Sequence, residues 1–341
     1  MLRPQDFFLQ WHLTQRCNLA CRHCYQEPST TPEITQAEAR EIMDEAVEML
    51  EDWRQAYGLD LSASVNLTGG EPFLRDDLFP IIADLRARGF EVFLLTNGLL
   101  VDAAAARRLA DLGVAGVQVS LEGPAAVHEA VRGPGSHAAA LAGVANLVDS
   151  RLPVTLNVTL SAHNAAAMPE LVDLARSLGV ARLGYSRLVP VGRGRDMLAA
   201  ALSREELREL YARLGELAPP GLDLVTGDPV AAQAKLPPPP EDLGDTPLGG
   251  CAAGVSGLTI MHDGTLLPCR RLPLPLGNLR TDSLREIWAA SPLLHALRDR
   301  SRYAEPCRSC ARWAVCRGCR AIAHAHSGAA TGGDPGCFLG A

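Results

Sequence analysis

The sequence has no run of 18 or more apolar residues, the minimum for a membrane-spanning helix, so neither a span nor a membrane partner is expected. It has no excess of positive charge: 32 Lys and Arg face 39 Asp and Glu, a formal net charge of −7. A nucleic-acid surface needs a basic field, so nucleic acid is not an expected partner. No repeat is visible beyond an alternation of strands and helices, and the Ala-rich patches at 103–106 and 138–140 read as helix formers. The stretch before the first cysteine, Cys17, leaves no room for a signal peptide. Without an export signal, the ten cysteines are not expected to pair as disulfides. They fit metal in a reducing cytoplasm, protected from oxygen.

Three cysteines fall within Cys17-Asn18-Leu19-Ala20-Cys21-Arg22-His23-Cys24, directly after the apolar run Phe7–Thr14. A cubane iron–sulfur cluster takes soft thiolate ligands, usually four. Three ligands leave one iron open to a small molecule bound through its amine and carboxylate. A zinc site from these three alone lacks its fourth ligand. The plain alternative is three reduced cysteines packed as small hydrophobes.

At 341 residues with 47% apolar content, the chain suits one large domain and a smaller one. Strands are predicted at 7–14, 62–68, 90–96, 114–121, 154–160 and 180–188. Helices are predicted at 35–57, 76–89, 102–112, 136–149, 168–178 and 203–217, the first on the helical spacing of Ile42, Ala46, Met49 and Trp53. Six βα units imply α/β architecture: a parallel sheet curling into a partial (β/α)6 TIM-like barrel, open on one side, over residues 1–217. Residues 218–250, with Pro219-Pro220-Gly221, Pro237–Pro240 and Gly249-Gly250, read as a stiff bridge. Residues 251–341 hold the other seven cysteines and little periodicity, so this small cysteine-rich region is expected to be held by metal rather than by a core. Asp263-Gly264 marks a hairpin turn between strands 257–261 and 265–268, returning Cys269 toward Cys251.

The Cys-x3-Cys-x2-Cys loop, followed in order by Thr68-Gly69-Gly70-Glu71-Pro72 and the later motifs, resembles the radical S-adenosylmethionine (SAM) superfamily. The resemblance implies a [4Fe-4S] cluster on Cys17, Cys21 and Cys24, with SAM on the fourth iron. One-electron reduction then releases a 5′-deoxyadenosyl radical that abstracts hydrogen from substrate. It also implies that Gly69, Gly70, Glu71 and Pro72 hold the SAM amino group. Asn97, Ser120, Glu122, Arg132 and Asn157 would meet ribose and carboxylate, and His23 and Tyr25 would lie near the adenine. Turn chemistry or surface ion pairing is the simpler account of Glu122 and Arg132. Tyr185–Pro190 would edge the adenine. The basic Gly192-Arg193-Gly194-Arg195 is either a solvated loop or a carboxylate contact.

Cys251, Gly264-x4-Cys269, Cys307-x2-Cys310-x5-Cys316-x2-Cys319 and Cys337 resemble the SPASM extension, which carries two auxiliary iron–sulfur clusters of [4Fe-4S] type. By that resemblance Cys307, Cys310, Cys316 and Cys337 hold a distal cluster. Cys251, Cys269 and Cys319 hold a proximal one that is a thiolate short. Asp263, His262 and His295 are compositional candidates for the missing ligand, with water or a substrate cysteine as alternatives. Structural zinc remains the alternative for such spacings.

The implied activity is that of a radical SAM oxidoreductase maturing a peptide or protein side chain, forming a thioether or a carbon crosslink. The substrate would be recognised directly or through a separate leader-recognition protein, and a reductase with flavodoxin or ferredoxin would donate electrons. A tetrapyrrole side-chain enzyme is the alternative, for which Arg187, Arg193, Arg195, Arg270 and Arg271 would suit carboxylates. Sulfatase maturation is a weaker one, since Arg270 stands where that group has an Asp.

Overall fold

The computed structural model describes residues 5–217, 219–235 and 245–339. The strands are β1 Gln5–His12, β2 Leu61–Thr68, β3 Glu91–Thr96, β4 Gly116–Ser120, β5 Val154–Leu160, β6 Arg182–Arg187, β7 Asp223–Val225, β8 Gly257–Ile260, β9 Thr265–Leu267 and β10 Gly277–Asn278. The main helices are α1 Gln36–Tyr57, α2 Leu78–Ala87, α3 Ala103–Asp111, α4 Ala125–Arg132, α5 Ser136–Asp149, α6 Met168–Ser177 and α7 Arg204–Glu216. Then follow α8 Ala232–Lys235, α9 Leu284–Ala290, α10 Pro292–Arg298 and α11 Arg320–Ser327.

Local chemistry accounts for these elements. In α1 the Thr35 hydroxyl caps the Glu38 amide while the Glu38 carboxylate returns to Thr35, a capping box. Its buried stripe is Ile42, Met43, Ala46, Met49 and Leu50, and Gly58 ends it in a left-handed conformation at φ 61°. In β5 fully buried residues alternate with half-buried ones, as a strand with one face in the core requires. Strands β1 to β7 run parallel in chain order, with α1 to α7 in the crossovers. The C-terminal ends of β1 to β6 therefore all point to one rim of a partial barrel.

Three features depart from the expectations. The proposed bridge contains β7, which pairs with β6, and the short α8. Its Pro237–Pro240 run lies outside the described residues. The region after Cys251 is not sparse in structure: it contributes α9, α10, α11 and the β8–β9 hairpin. Its apolar residues Leu258, Ile260, Leu266, Leu284, Leu294 and Leu297 belong to the same buried cluster as the barrel core. These helices are short, so their periodicity is too brief to stand out in sequence. Finally, α4 is a helix beyond the predicted six, and Arg132 is its last residue.

The sheet also does not stop at the barrel. It has ten strands in the order β10-β9-β8-β1-β2-β3-β4-β5-β6-β7. Strand β8 lies parallel to β1, with Phe8 opposite Gly257 and Trp11 opposite Ile260. Gly257 permits that approach: a Cβ there would sit 2.6 Å from the Phe8 ring and 2.7 Å from its carbonyl. The predicted hairpin is present, its turn at Gly264 with φ 88°.

At the far side the link is ionic. Arg187, at the end of β6, is buried against two aspartates: Nη2 donates to Asp228 Oδ1 at 2.9 Å, and Nη1 to Asp334 Oδ1 at 2.9 Å. Asp334 also accepts from the Cys319 amide at 2.6 Å and the Gly336 amide at 2.8 Å. Burial pushes the Asp334 carboxyl up, but Arg187 outweighs it and holds it below the usual range. Removing one partner of a buried ion pair strands the other charge, at a cost of about 3–5 kcal/mol. Arg187→Met is therefore expected to lower unfolding free energy by about that amount, measured by urea denaturation at neutral pH. A loss below about 1 kcal/mol would mean the aspartates are not held by this cation.

Candidate functional site

The rim loops after β1, β2 and β3 are tied together by backbone. Gly70 donates its amide to the Thr14 carbonyl at 2.7 Å, and Glu71 donates to the Arg16 carbonyl at 2.8 Å. Gly70 is required there, since a Cβ would fall 2.1 Å from the Arg16 carbonyl oxygen. The Glu71 carboxylate is fully buried and accepts from Thr96 Oγ1 and the Asn97 amide, both at 2.8 Å. Asn97 Nδ2 then donates to Asn18 Oδ1 at 2.7 Å, inside the cysteine loop.

A cavity of about 330 Å³ opens beneath that loop. Cys17, Cys21 and Cys24 line it, all with free thiols. Of the expected SAM contacts, Tyr25, Gly69, Gly70, Asn97, Ser120, Arg132 and Asn157 also line it, as does His23. Glu71, Pro72 and Glu122 do not. The Glu71 carboxylate faces the β3 loop and holds Thr96 and Asn97. Glu122 is spent on its neighbours: Arg132 Nη2 donates to Oε1 at 2.6 Å, His23 Nε2 lies 3.2 Å from Oε1, and the Thr159 amide donates to Oε2 at 2.9 Å. Burial pushes the Glu122 carboxyl up, but Arg132 and His23 reverse this and hold it well below the usual range. Arg132 Nη1 also reaches within 3.8 Å of Cys21 Sγ, so the Glu122–Arg132 pair places a cation beside a candidate ligand.

The basic segment 192–195 packs its two glycines against the cysteine loop while Arg193 and Arg195 stay exposed. Arg193 Nε donates to the Cys21 carbonyl at 2.9 Å, and the Gly194 amide donates to the Cys24 carbonyl at 3.2 Å. A Cβ on Gly192 would lie 2.6 Å from the Cys24 carbonyl. The segment closes over the cysteine loop from the β6 side. On the other flank, buried His12 accepts or donates at 2.8 Å with Gln26, packs edge-on to Tyr25, and is held neutral by burial and Arg270, its pKa lowered to about 3.

A second cavity, of about 430 Å³, is lined by Cys251, Cys269 and Cys319. It shares Gln118, Asn157, Ser186, Arg187, Arg270 and Arg271 with the first, so these six residues form a common wall. None of Asp263, His262 and His295 lines it. Asp263 caps the hairpin turn through the Thr265 amide, and His295 Nε2 bonds the Ala289 carbonyl. A third cavity, of about 210 Å³, is lined by Cys307, Cys310, Cys316 and Cys337. Gln233 Nε2, unmarked in the sequence, lies 3.5 Å from Cys316 Sγ and 3.4 Å from Cys337 Sγ. Amides donate to sulfur at Cys17, Cys310 and Cys316, from Leu19, Arg312 and Gly318, each at 3.4 Å. Such N–H···S bonds support charged thiolates and tune bound clusters.

The donor sets suit iron–sulfur clusters. Burial pushes the Cys316 thiol up to about 11 and the Cys319 thiol up to about 12, so a cationic centre is what would deprotonate them. Among the described residues, no three His, Cys, Asp or Glu side chains converge tightly enough to share one metal ion. A cubane does not require that, because each of its irons takes its own thiolate.

Comparison with known proteins adds to this. A profile of the radical SAM superfamily matches residues 11–175, and one of the SPASM iron–sulfur cluster-binding domain matches residues 251–311. The chain is 33% identical to pre-heme d1 synthase from Dinoroseobacter shibae, over 96% of this chain and 85% of that protein. It is 30% identical to AdoMet-dependent heme synthase from Methanosarcina barkeri, over 97% of this chain and 95% of that protein. It is 32% identical to mycofactocin maturase MftC from Mycobacterium ulcerans, over 97% and 88%. Among solved structures, anSMEcpe with bound AdoMet superposes with TM-score 0.74 at 18% identity, covering 97% of this chain and 94% of that one. SuiB from Streptococcus suis superposes with TM-score 0.70 at 17% identity, covering 93% and 73%.

Burial pushes the Glu71 carboxyl up from 4.5 to about 7, against three donated hydrogen bonds. A raised folded-state pKa gives stability that is complete below the unfolded value and is lost as pH rises through the folded one. Stability should therefore fall between pH 4.5 and about 7 on this account. Glu71→Gln should flatten that slope, read from urea unfolding at stepped pH. An unchanged slope would assign it to other groups.

Proposed function

Because the chain belongs to the radical SAM superfamily and carries a SPASM iron–sulfur region, we propose that this enzyme modifies a peptide or protein side chain in the space where its first two cavities meet. The observation behind this reading is the common wall: the cavity of Cys17, Cys21 and Cys24 opens onto the cavity of Cys251, Cys269 and Cys319. A side chain entering between them would have a radical source on one side and an incompletely ligated cluster on the other.

In this reading Cys17, Cys21 and Cys24 hold a [4Fe-4S] cluster. Gly69, Gly70, Asn97, Ser120, Asn157 and Tyr25 receive SAM, with Arg132 presented by Glu122. Cys251, Cys269 and Cys319 hold a proximal cluster, and Cys307, Cys310, Cys316 and Cys337 a distal one backed by Gln233. With these bound, the site supplies reductive cleavage of SAM and a radical that takes a hydrogen atom. The chain's own part is to position and to exclude water. Segment 192–195 closes the cysteine loop, and the Glu71 carboxylate fixes the β3 loop. The four cysteines of the third cavity would hold a cluster that supplies electron transfer, with a ferredoxin or flavodoxin in the cytoplasm as the electron donor. A small-molecule reading, modification of a tetrapyrrole side chain, is supported by near-full-length similarity to a heme synthase and a pre-heme d1 synthase. Recognition of a peptide through a separate leader-binding protein belongs to the first reading, for which the MftC similarity is the support.

Anaerobically reconstituted protein is expected to cleave SAM to 5′-deoxyadenosine, and Cys24→Ala to lose that activity by at least about a hundredfold. Iron should approach about twelve per chain if all three sites carry cubanes. About four irons with bound zinc would defeat the auxiliary assignments. Cys307→Ala should retain SAM cleavage yet lose product. Assays with a cysteine-containing peptide and with iron-coproporphyrin, followed by mass spectrometry, separate the two substrate readings.

A further inference from the structure

Several cations border the two joined cavities, and most are already committed. Arg132 is paired with Glu122, Arg193 with the Cys21 carbonyl, and Arg187 with Asp228 and Asp334. Arg270 and Arg271 differ. Both line both cavities, on the shared wall. Among the described residues, Arg270 meets Gln10 Oε1 at 2.6 Å from Nη1 and the Tyr25 ring at 5.8 Å. Arg271 has a single long contact, Nη1 to the Arg187 carbonyl at 3.4 Å. In each, Nε is buried with no hydrogen-bond partner. Both residues are half-buried, but a buried Nε with no acceptor is costly, so this arrangement implies an acceptor that arrives from outside.

We propose that Arg270 and Arg271 form a clamp for a carboxylate on the substrate, at the wall between the SAM-side cavity and the cavity of Cys251, Cys269 and Cys319. Guanidinium forks match carboxylate geometry, and two adjacent ones on a desolvated wall give a strong and directional anchor. The anchor fixes the substrate by its charged end, leaving the carbons next to that carboxylate against the SAM-side cavity. The proposal rests on the radical SAM reading but deepens it: the substrate is an anion with a carboxylate close to the reacting carbon. The carboxylate has two sources of one chemistry, a propionate-type side group on a macrocycle or a carboxylate of a peptide. Both residues are among the basic candidates of the sequence; that each keeps a buried Nε without an acceptor is visible only in three dimensions.

The test uses the reconstituted, reduced holoenzyme and carboxyl-13C propionate as probe. Paramagnetic broadening of the propionate signal is expected, saturable with concentration. Methyl propionate, of similar shape but uncharged, should show none. Arg270→Gln and Arg271→Gln should each weaken the saturation midpoint at least about tenfold with iron content retained. Equal broadening of acid and ester in wild-type protein overturns the clamp, and needs no variant to fold. Loss of auxiliary iron from both variants also overturns it, reassigning the guanidiniums to the cluster. Displacement of propionate by coproporphyrin assigns the carboxylate to a macrocycle; displacement by a peptide that its C-terminal amide does not match assigns it to a peptide. SAM cleavage by wild-type protein is measured separately, so failure of the radical SAM reading is distinguishable from failure of the clamp.

Discussion

Arg187 is the cation on which the arrangement of the three cavities depends. It ends β6, the last long strand of the parallel set, and its guanidinium spans Asp228 from the segment after β7 and Asp334 from the final loop. Asp334 in turn fixes the amide of Cys319. One side chain thus connects the barrel rim, the bridge segment and the final loop, which bears Cys337 and holds the Cys319 amide through Asp334. An apolar contact would not do this, because it carries no direction. The paired carboxylates set the angle at which the C-terminal loop meets the rim. The Tyr211 hydroxyl donates to Asp228 as well, so the remaining lone pairs of that carboxylate are used rather than left buried and bare.

The opposite attachment, through β8, is made differently, and the contrast explains the shape of the site. Along β1 the join is a ladder of backbone hydrogen bonds, made possible by Gly257. A ladder fixes register, so Cys251 before β8 and Cys269 after β9 hold their positions relative to β1. The chain leaves β1 directly into the loop of Cys17, Cys21 and Cys24. Cys251 and Cys269 are therefore set against the first trio by this strand pairing, while Cys319 is held from the other side through Asp334.

Much of this was legible beforehand, for physical reasons that differ by feature. Helix α1 announces itself by the helical spacing of Ile42, Ala46, Met49 and Trp53 within a run of helix formers. The six long parallel strands are short apolar runs separated by helical stretches, a pattern few other folds produce. The ten cysteines line three cavities, and their division into ligand sets came from the resemblance, since spacing alone does not say which of the last seven belong together. The direction of a side chain was not legible. Glu71 and Glu122 sit in the right loops but turn inward, and only the positions of Thr96, Asn97, His23 and Arg132 explain why. The core of the cysteine-rich region was hidden for another reason: its apolar residues are scattered over short elements that gain meaning only when laid on β1 and α1. Phe7, Trp53 and Trp288 meet edge-on there, joining residues more than two hundred positions apart.

Electrostatics then decides what the joined cavities accept. The chain is net negative, yet the wall between its two central cavities carries Arg187, Arg270 and Arg271. Arg187 is more than neutralised by two aspartates, so alone it would leave the wall slightly anionic. The adjacent guanidiniums reverse that sign. Thiolate-ligated centres on either side would draw part of this positive potential, and burial raises the Arg271 cost while Cys319 and Cys269 offset it. Diffuse attraction to sulfur does not, however, satisfy a directional N–H donor. The two Nε groups require an oxygen at hydrogen-bonding distance, and a planar anion is the group that meets both without adding another buried cation.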